Sequence, residues 1–275
     1  MLVLGAVSSV QFGAALAKSL FDELGPGGTV FLRVALAAIV LAALWRPRAA
    51  GHSRRDLALA AVFGLTLAGM NLCFYSALDR IPLGITVTIE FVGPLSVAVA
   101  GSRRWLDLLW VGLAGAGILL LSSLGSSDLD GLGVALALLA GGLWAAYILL
   151  SARVGRVFPG GTGLALAMLL ASVLLLPVGV AEAGADLLTP WLLGLGLCVA
   201  VLSSAVPYSL EMEALRRLPA RVFGVLMSLE PAVAALAGFV LLGEDLAARE
   251  VVAIALVVAA SAGAASQAEL ALRDA

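Results

Sequence analysis

The sequence predicts an all-α integral membrane protein: ten transmembrane helices, arranged as two inverted five-helix repeats around a central cavity. Three observations carry this prediction. The chain of 275 residues is 62% apolar and 12% charged, with a mean hydropathy of +1.11. Soluble domains run about half apolar and about a quarter charged, so 16 basic and 18 acidic residues are too few to cover a water-exposed surface of this length. The apolar residues fall in continuous runs without period-two alternation, which selects helices over barrel strands. Finally, the chain repeats itself with an odd number of spans per copy.

Ten apolar stretches are legible at 2–20, 28–45, 57–77, 83–100, 106–122, 132–150, 163–180, 190–207, 221–242 and 250–267. Spans of about 20 residues are what a bilayer core requires. Gly, Ala and Leu dominate, and the small residues let helix backbones approach closely where hydrophobicity cannot drive association. Met1 leads straight into the first run with no basic segment or small-residue cleavage site, so no removable signal peptide is expected.

Basic residues occupy alternate linkers. Arg46, Arg48, Arg54 and Arg55 follow span 2, Arg103 and Arg104 span 4, and Arg153 and Arg156 span 6. Arg216, Arg217 and Arg221 follow span 8, and Arg273 lies in the tail. The intervening loops are acidic: Asp22 with Glu23, Asp128 with Asp130, Glu182 with Asp186, and Glu244 with Asp245. The positive-inside rule then puts both termini in the cytoplasm, which requires an even number of spans.

ALDRIP at Ala77–Pro82 recurs as ALRRLP at Ala214–Pro219, an offset of 137 that also superimposes Pro94 on Pro231, Ala98 on Ala235 and Gly101 on Gly238. PGGT at Pro26–Thr29 recurs at Pro159–Thr162, an offset of 133. The halves are therefore 1–135 and 136–275, with five spans each. A five-span unit enters the membrane the second time from the opposite side, which inverts the repeat and puts a site near midplane where the halves meet. Pro94 and Pro231 each remove a backbone hydrogen bond, marking equivalent kinks or gating points in spans 4 and 9.

Polar groups at membrane depth are the candidate site. At a rise of about 1.5 Å per residue, Glu90 lies about 10 Å below the outer face and Glu230 about 15 Å above the inner one. Arg33 reaches the depth of Glu90, and Lys18 is somewhat shallower. Two readings stand for these charges. One is a structural ion pair of Glu90 with Arg33 or Lys18, or basic side chains snorkelling outward. The other is a charged pocket that fixes an ammonium or carboxylate, or relays a proton. Glu90 maps onto Met227 under the repeat, so such a pocket is chemically asymmetric. Asn71 and Tyr75 share a face of span 3, Ser204 and Tyr208 one of span 8, Trp144, Tyr147 and Ser151 one of span 6, and Gln11 and Lys18 one of span 1. Trp144 and Tyr147 read either as interfacial anchors or as cavity residues. Gln11 and Asn71 lie too deep to be anchors, leaving interhelical hydrogen bonding as the competing role.

The net charge of −2 offers no basic patch to nucleic acid. Cys73 and Cys198 sit in apolar runs as small hydrophobes, so no metal or cofactor is expected. The single histidine, His52, lies in a polar loop, and neither HExxH nor GxSxG occurs, which argues against an intramembrane enzyme. No selectivity-filter-like run supports a channel.

The strings GAALAKSLF (13–21), FYSALDRIPLGITVTIEFVGPLSVA (74–98), SRRWLDLLWVGLAGAG (102–117), LWAAYILLSARVG (143–155) and LSSAVPYSLEMEALRRLPARVFGVLMSLEPAVAALAGFVLLGE (202–244) resemble the bacterial threonine/homoserine exporters. Those are EamA-type members of the drug/metabolite transporter superfamily, and the resemblance covers essentially the whole chain. A short N-terminus is the departure from that pattern. The resemblance implies a ten-helix basket with spans 1, 3, 4, 6, 8 and 9 around the cavity. It also implies export of amino acids, as small-molecule substrates, across the bacterial inner membrane. Within that superfamily, broad-specificity drug or metabolite export is the alternative, with an aromatic and weakly charged cavity.

Overall fold

A computed structural model of the chain describes residues 2–48, 50–100, 130–218, 230–244 and 247–273, together with 109, 110, 112, 113, 116, 117, 120, 220, 223 and 227. Helix follows helix, and no strand occurs among the described residues. The helices are α1 (Leu2–Lys18), α2 (Phe21–Trp45), α3 (Arg54–Leu78), α4 (Leu83–Glu90), α5 (Val92–Val99), α6 (Gly131–Val157) and α7 (Thr162–Ala183). A 3₁₀ turn at Gly184–Leu188 leads into α8 (Pro190–Ala200), a π-helical turn at Val201–Ala205, α9 (Val206–Arg217), α10 (Glu230–Leu242) and α11 (Ala248–Arg273). Among the described residues, five segments are long and apolar enough to cross a membrane: Phe21–Trp45, Arg54–Leu78, Gly131–Val157, Thr162–Leu188 and Pro190–Arg217. Most of the predicted fifth span, 106–122, lies outside the described residues, as do Gly101, Arg103, Arg104, Asp128, Pro219, Arg221 and Asp245.

Local signals set the helix ends. Ser53 starts α3 with a capping box, its hydroxyl accepting from the Asp56 N–H while the Asp56 carboxylate accepts from the Ser53 N–H. Asp130 caps α6 by accepting from the N–H groups of Leu132 and Gly133, and it pairs with Arg80 at 2.8 Å. Near the start of α2, Gly25 takes a left-handed φ of 67°, a conformation glycine adopts without a Cβ clash, and Pro26 restarts the helix. Span 4 breaks at Phe91. Pro94 has no N–H to give to the Glu90 carbonyl four residues earlier, and the helix resumes as α5. Pro231 stands at the second residue of α10, where a proline costs no intrahelical bond.

Packing depends on small residues. A Cβ on Gly141 of α6 would lie 2.6 Å from the Glu90 carbonyl oxygen, so the broken helix rests directly on the α6 backbone. Both PGGT copies serve as contact points between helix ends. Gly27 and Gly28 lie against Val178, Glu182 and Ala183 near the end of α7, and Gly160 and Gly161 lie against Trp45 at the end of α2. The Gly27 N–H donates to Glu182 at 2.7 Å. The buried core gathers Phe63, Tyr75, Phe91, Tyr147, Phe158 and Phe223. Outward faces are apolar as well: Ile39, Leu65, Val173 and Leu236 are 61–64% exposed, as lipid-facing side chains are.

Candidate functional site

Among the described residues, seven helices line a cavity within the bundle. Val10, Gln11 and Ala14 reach it from α1, Arg33 from α2, Met70, Asn71 and Phe74 from α3, and Glu90 from the end of α4. Trp144 comes from α6, Tyr208 and Glu211 from α9, and Glu230 from the start of α10. Polar groups buried at such depth are tolerated only with partners inside the protein or at a cavity.

Two hydrogen-bonded clusters face each other. On α2, α3 and α9, the Arg33 guanidinium donates to the Ser203 hydroxyl (3.0 Å), the Ser203 carbonyl (3.2 Å) and the Tyr208 hydroxyl (3.4 Å). Tyr208 donates onward to the Asn71 Oδ1 at 3.1 Å, and the Asn71 amide donates to the Leu67 carbonyl. The guanidinium also lies 4.8 Å from the centre of the Tyr75 ring, a cation–π contact. On α1 and α10, the Gln11 amide donates to the Glu230 carboxylate at 2.7 Å. Between the clusters, the Tyr147 hydroxyl donates to Glu211 at 2.9 Å, and Trp144 packs edge-on against Phe91.

The geometry corrects several expectations. Neither Arg33 nor Lys18 forms an ion pair with Glu90, which has no hydrogen-bond partner among the described residues. Lys18 instead binds Glu244 at 2.7 Å, at the end of the bundle where α1 finishes, and the same carboxylate accepts the Leu83 N–H that opens α4. Helix rise gives Arg33 the depth of Glu90 and Lys18 a somewhat shallower one, but it says nothing of the direction each side chain faces. Gln11 accordingly reaches the cavity without Lys18. Ser204 is buried away from it with an unpartnered hydroxyl. A regular α-helix would stack Ser204 under Tyr208, but the π turn shifts the register and turns Ser203 to Arg33. Tyr75 and Tyr147 stand behind the lining, one under Arg33 and the other on Glu211. Trp144 is 6% exposed and Tyr147 fully buried, positions inside the bundle rather than in an interfacial belt.

Arg33 stands among the polar groups expected at membrane depth, although span 2 is outside the six spans that the resemblance puts around the cavity. The sequence did not single out Glu211. Glu211 is masked in the sequence by its charged neighbours: Glu213, two residues on, points outward to Arg216 and Arg217. A spacing of three from Tyr208 was the available signal, since it puts Glu211 on the same helix face.

Known proteins agree with this architecture. Threonine/homoserine exporter RhtA of Salmonella typhimurium LT2 is 46% identical over 269 residues, spanning 96% of this chain and 90% of that protein. The RhtA of Escherichia coli K12 is 44% identical over 268 residues with the same coverage. A crystal structure only 20% identical in sequence shares the fold, with a TM-score of 0.68 over 98% of both chains. Residues 131–265 match the profile of an EamA-like transporter family. Helices of membrane length around a polar interior cavity define a multi-pass membrane protein of the transporter class. The chain belongs to the EamA-like transporter family, among relatives curated as threonine/homoserine exporters.

Proposed function

We propose that this protein is a secondary transporter of the bacterial inner membrane that exports small amino acids of the threonine and homoserine kind by alternating access. Its ten helices form two inverted repeats, 1–135 and 136–275, with both termini cytoplasmic. The cavity carries the reading: a guanidinium, from Arg33, and the carboxylates of Glu90, Glu211 and Glu230 line it together, the complement of a zwitterion. Gln11, Asn71, Glu90, Trp144, Tyr208 and Glu230 contact substrate, with Arg33 and Glu211 added to them. Tyr75, Tyr147 and Ser204 support that shell from behind, and Pro94 and Pro231 mark the points where spans 4 and 9 flex. The bilayer and the amino acid are the partners required. A weakly charged cavity, as a broad-specificity exporter of hydrophobic drugs would need, does not match Arg33, Glu90, Glu211 and Glu230.

Packing supports the two-fold exchange. α2 packs on α7 and α4 on α10, each pair linking equivalent spans. α3 packs on α6 and α7, while the α8–α9 span packs on α1 and α2. α4 and α5 pack on α6, and α10 packs on α1. Residues obey the same exchange. Asn71 and Tyr208, separated by the repeat offset of 137, hydrogen-bond to each other, which equivalent residues do only beside a pseudo-two-fold axis. Phe74 with Glu211, at the same offset, and Gln11 with Trp144, at the 133 offset, also line the cavity as pairs.

Purified protein in liposomes loaded with labelled threonine tests the function. Wild type is expected to move threonine and not hydrophobic cations, and Glu90→Gln to change the rate or its pH profile between about pH 5 and 8. A variant with wild-type rates at every pH removes Glu90 from the site. An imposed pH gradient decides whether protons are coupled.

A further inference from the structure

Gln11 Oε1, Glu230 Oε2 and Arg33 Nε, on residues that line the cavity, are buried polar atoms without a partner among the described residues. Their residues are 3–4% exposed, so water does not reach them freely, and each unmet group carries a desolvation cost. Two are acceptors on neighbouring helices and one is a donor across the cavity. The Gln11 amide orientation is fixed by chemistry, because only its NH₂ can meet the Glu230 carboxylate, which leaves its oxygen turned away.

Surrounding charges separate the carboxylates. Glu211 has the Tyr147 hydroxyl, and Glu90 lies in the field of the Arg33 guanidinium. Glu230 has the neutral Gln11 amide and no basic side chain paired with it among the described residues. Its Oε2 is a buried carboxylate oxygen with no donor among the described residues. Gln11 Oε1 beside it calls for a cation with several N–H donors, so a primary ammonium fits and a quaternary one does not.

We propose that Gln11 Oε1 and Glu230 Oε2 form the ammonium subsite and Arg33 the carboxylate subsite, so that an α-amino acid lies across the cavity from α1 and α10 to α2 in a single orientation. This rests on the amino-acid export reading and adds to it the direction in which substrate is held and the residues that select a primary amine. Arg33 is preset for a carboxylate, since Ser203, Tyr208 and the Tyr75 ring hold its plane while Nε stays unused.

Competition binding against labelled threonine, on full-length protein in detergent, reads the orientation with two half-probes. Threoninol keeps the ammonium without the carboxylate, and 2,3-dihydroxybutanoate keeps the carboxylate without the ammonium. In Glu230→Gln and Gln11→Leu, threoninol should weaken about 10- to 100-fold while dihydroxybutanoate stays within a few-fold of wild type. Arg33→Gln should show the reverse, and Arg33→Lys should recover part of the loss. The probe that each variant still binds is its own control for folding. The assignment is overturned if any variant loses both probes alike, if the pattern is reversed, or if N,N,N-trimethylthreonine binds as well as threonine. A wild-type protein that neither binds nor moves threonine would instead overturn the export reading itself.

Discussion

Gly141 and Gly142 are adjacent on α6, and alanine should act on them with opposite sign. At Gly141 the new Cβ would meet the Glu90 carbonyl oxygen at 2.6 Å, and carbon–oxygen contacts of this kind settle near about 3.3 Å. The gap is about 0.7 Å, and it can be made up only by moving backbone, because the obstacle is a carbonyl and not a side-chain tip. Overpacking of this sort costs about 1–3 kcal/mol, less the ~0.5–1 kcal/mol that alanine gains over glycine within a helix. A Cβ on Gly142 meets nothing within 4 Å, so the same substitution there keeps only the favourable part. Thermal unfolding of the purified variants in detergent should therefore place Gly141→Ala below wild type and Gly142→Ala at or above it. Displacing the Glu90 backbone should also slow threonine transport by Gly141→Ala alone. Equal melting temperatures and equal transport for the two variants would refute the close approach of the broken helix to α6.

Glu211→Gln should slow transport about tenfold or more, by loss of a charge in the cavity, while Glu213→Gln, which breaks outward pairs with Arg216 and Arg217, should leave initial rates in liposomes unchanged. Glu244→Gln keeps an acceptor for the Leu83 N–H but loses the Lys18 pair, and Glu244→Ala loses both, so the alanine variant should melt lower by about 1 kcal/mol, the usual worth of a helix cap. The Arg80 guanidinium, with the Gly133 and Leu132 N–H groups, holds the Asp130 carboxyl below the usual carboxylate range. A native carboxyl harder to protonate than the unfolded one stabilises above the unfolded value of about 3.9 and loses that effect as pH falls through and below it. Hydrogen exchange at Leu132 and Gly133 should accordingly speed up relative to the rest of α6 in acid, and Asp130→Asn should remove the difference.

Periodicity and charge made the scaffold legible, and departures have local causes. Apolar runs end where the lipid ends, but helices do not: α6 continues past residue 150 through Arg153 and Arg156, and α9 runs on to Arg217 as an amphipathic end. The site was legible where a polar residue sat alone in an apolar run, as Gln11, Asn71, Glu90 and Glu230 do. Azimuth was the missing coordinate. Rise along a helix grouped Lys18 and Arg33 with Glu90, whereas the facing of each side chain sent Lys18 to Glu244 and Arg33 to Tyr208. Glu211 and Glu213 differ by about 200° around one helix, so a single charged string held a cavity residue and a surface one. A π turn is likewise invisible to a fixed 3.6-residue period, which is why Ser204 was expected where Ser203 stands.

The pairing of equivalent positions gives the charge distribution a mechanical meaning. Gln11 is matched by Trp144, Phe74 by Glu211, Glu90 by Met227 and Glu230 by Gly93, so at each pair one half is polar or charged and the other is not. Alternating access in an inverted repeat exchanges the conformations of the two halves. Were the cavity chemistry symmetric as well, an amino acid would be held equally well in two opposite orientations, and the exchange would favour neither. Side chains, unlike conformations, do not exchange: Arg33 stays on α2 and Glu230 on α10 in every state of the cycle. On the proposed subsites, a zwitterion held between them would keep one orientation from loading to release while the helices move around it. Lengthening the distance between the two subsites would then break one charged contact at a time, in steps smaller than the whole binding energy. Double substitution tests this: Arg33→Glu with Glu230→Arg should restore threonine transport that either single reversal abolishes, and a double variant as inactive as the singles would show that the two groups do not act on one substrate.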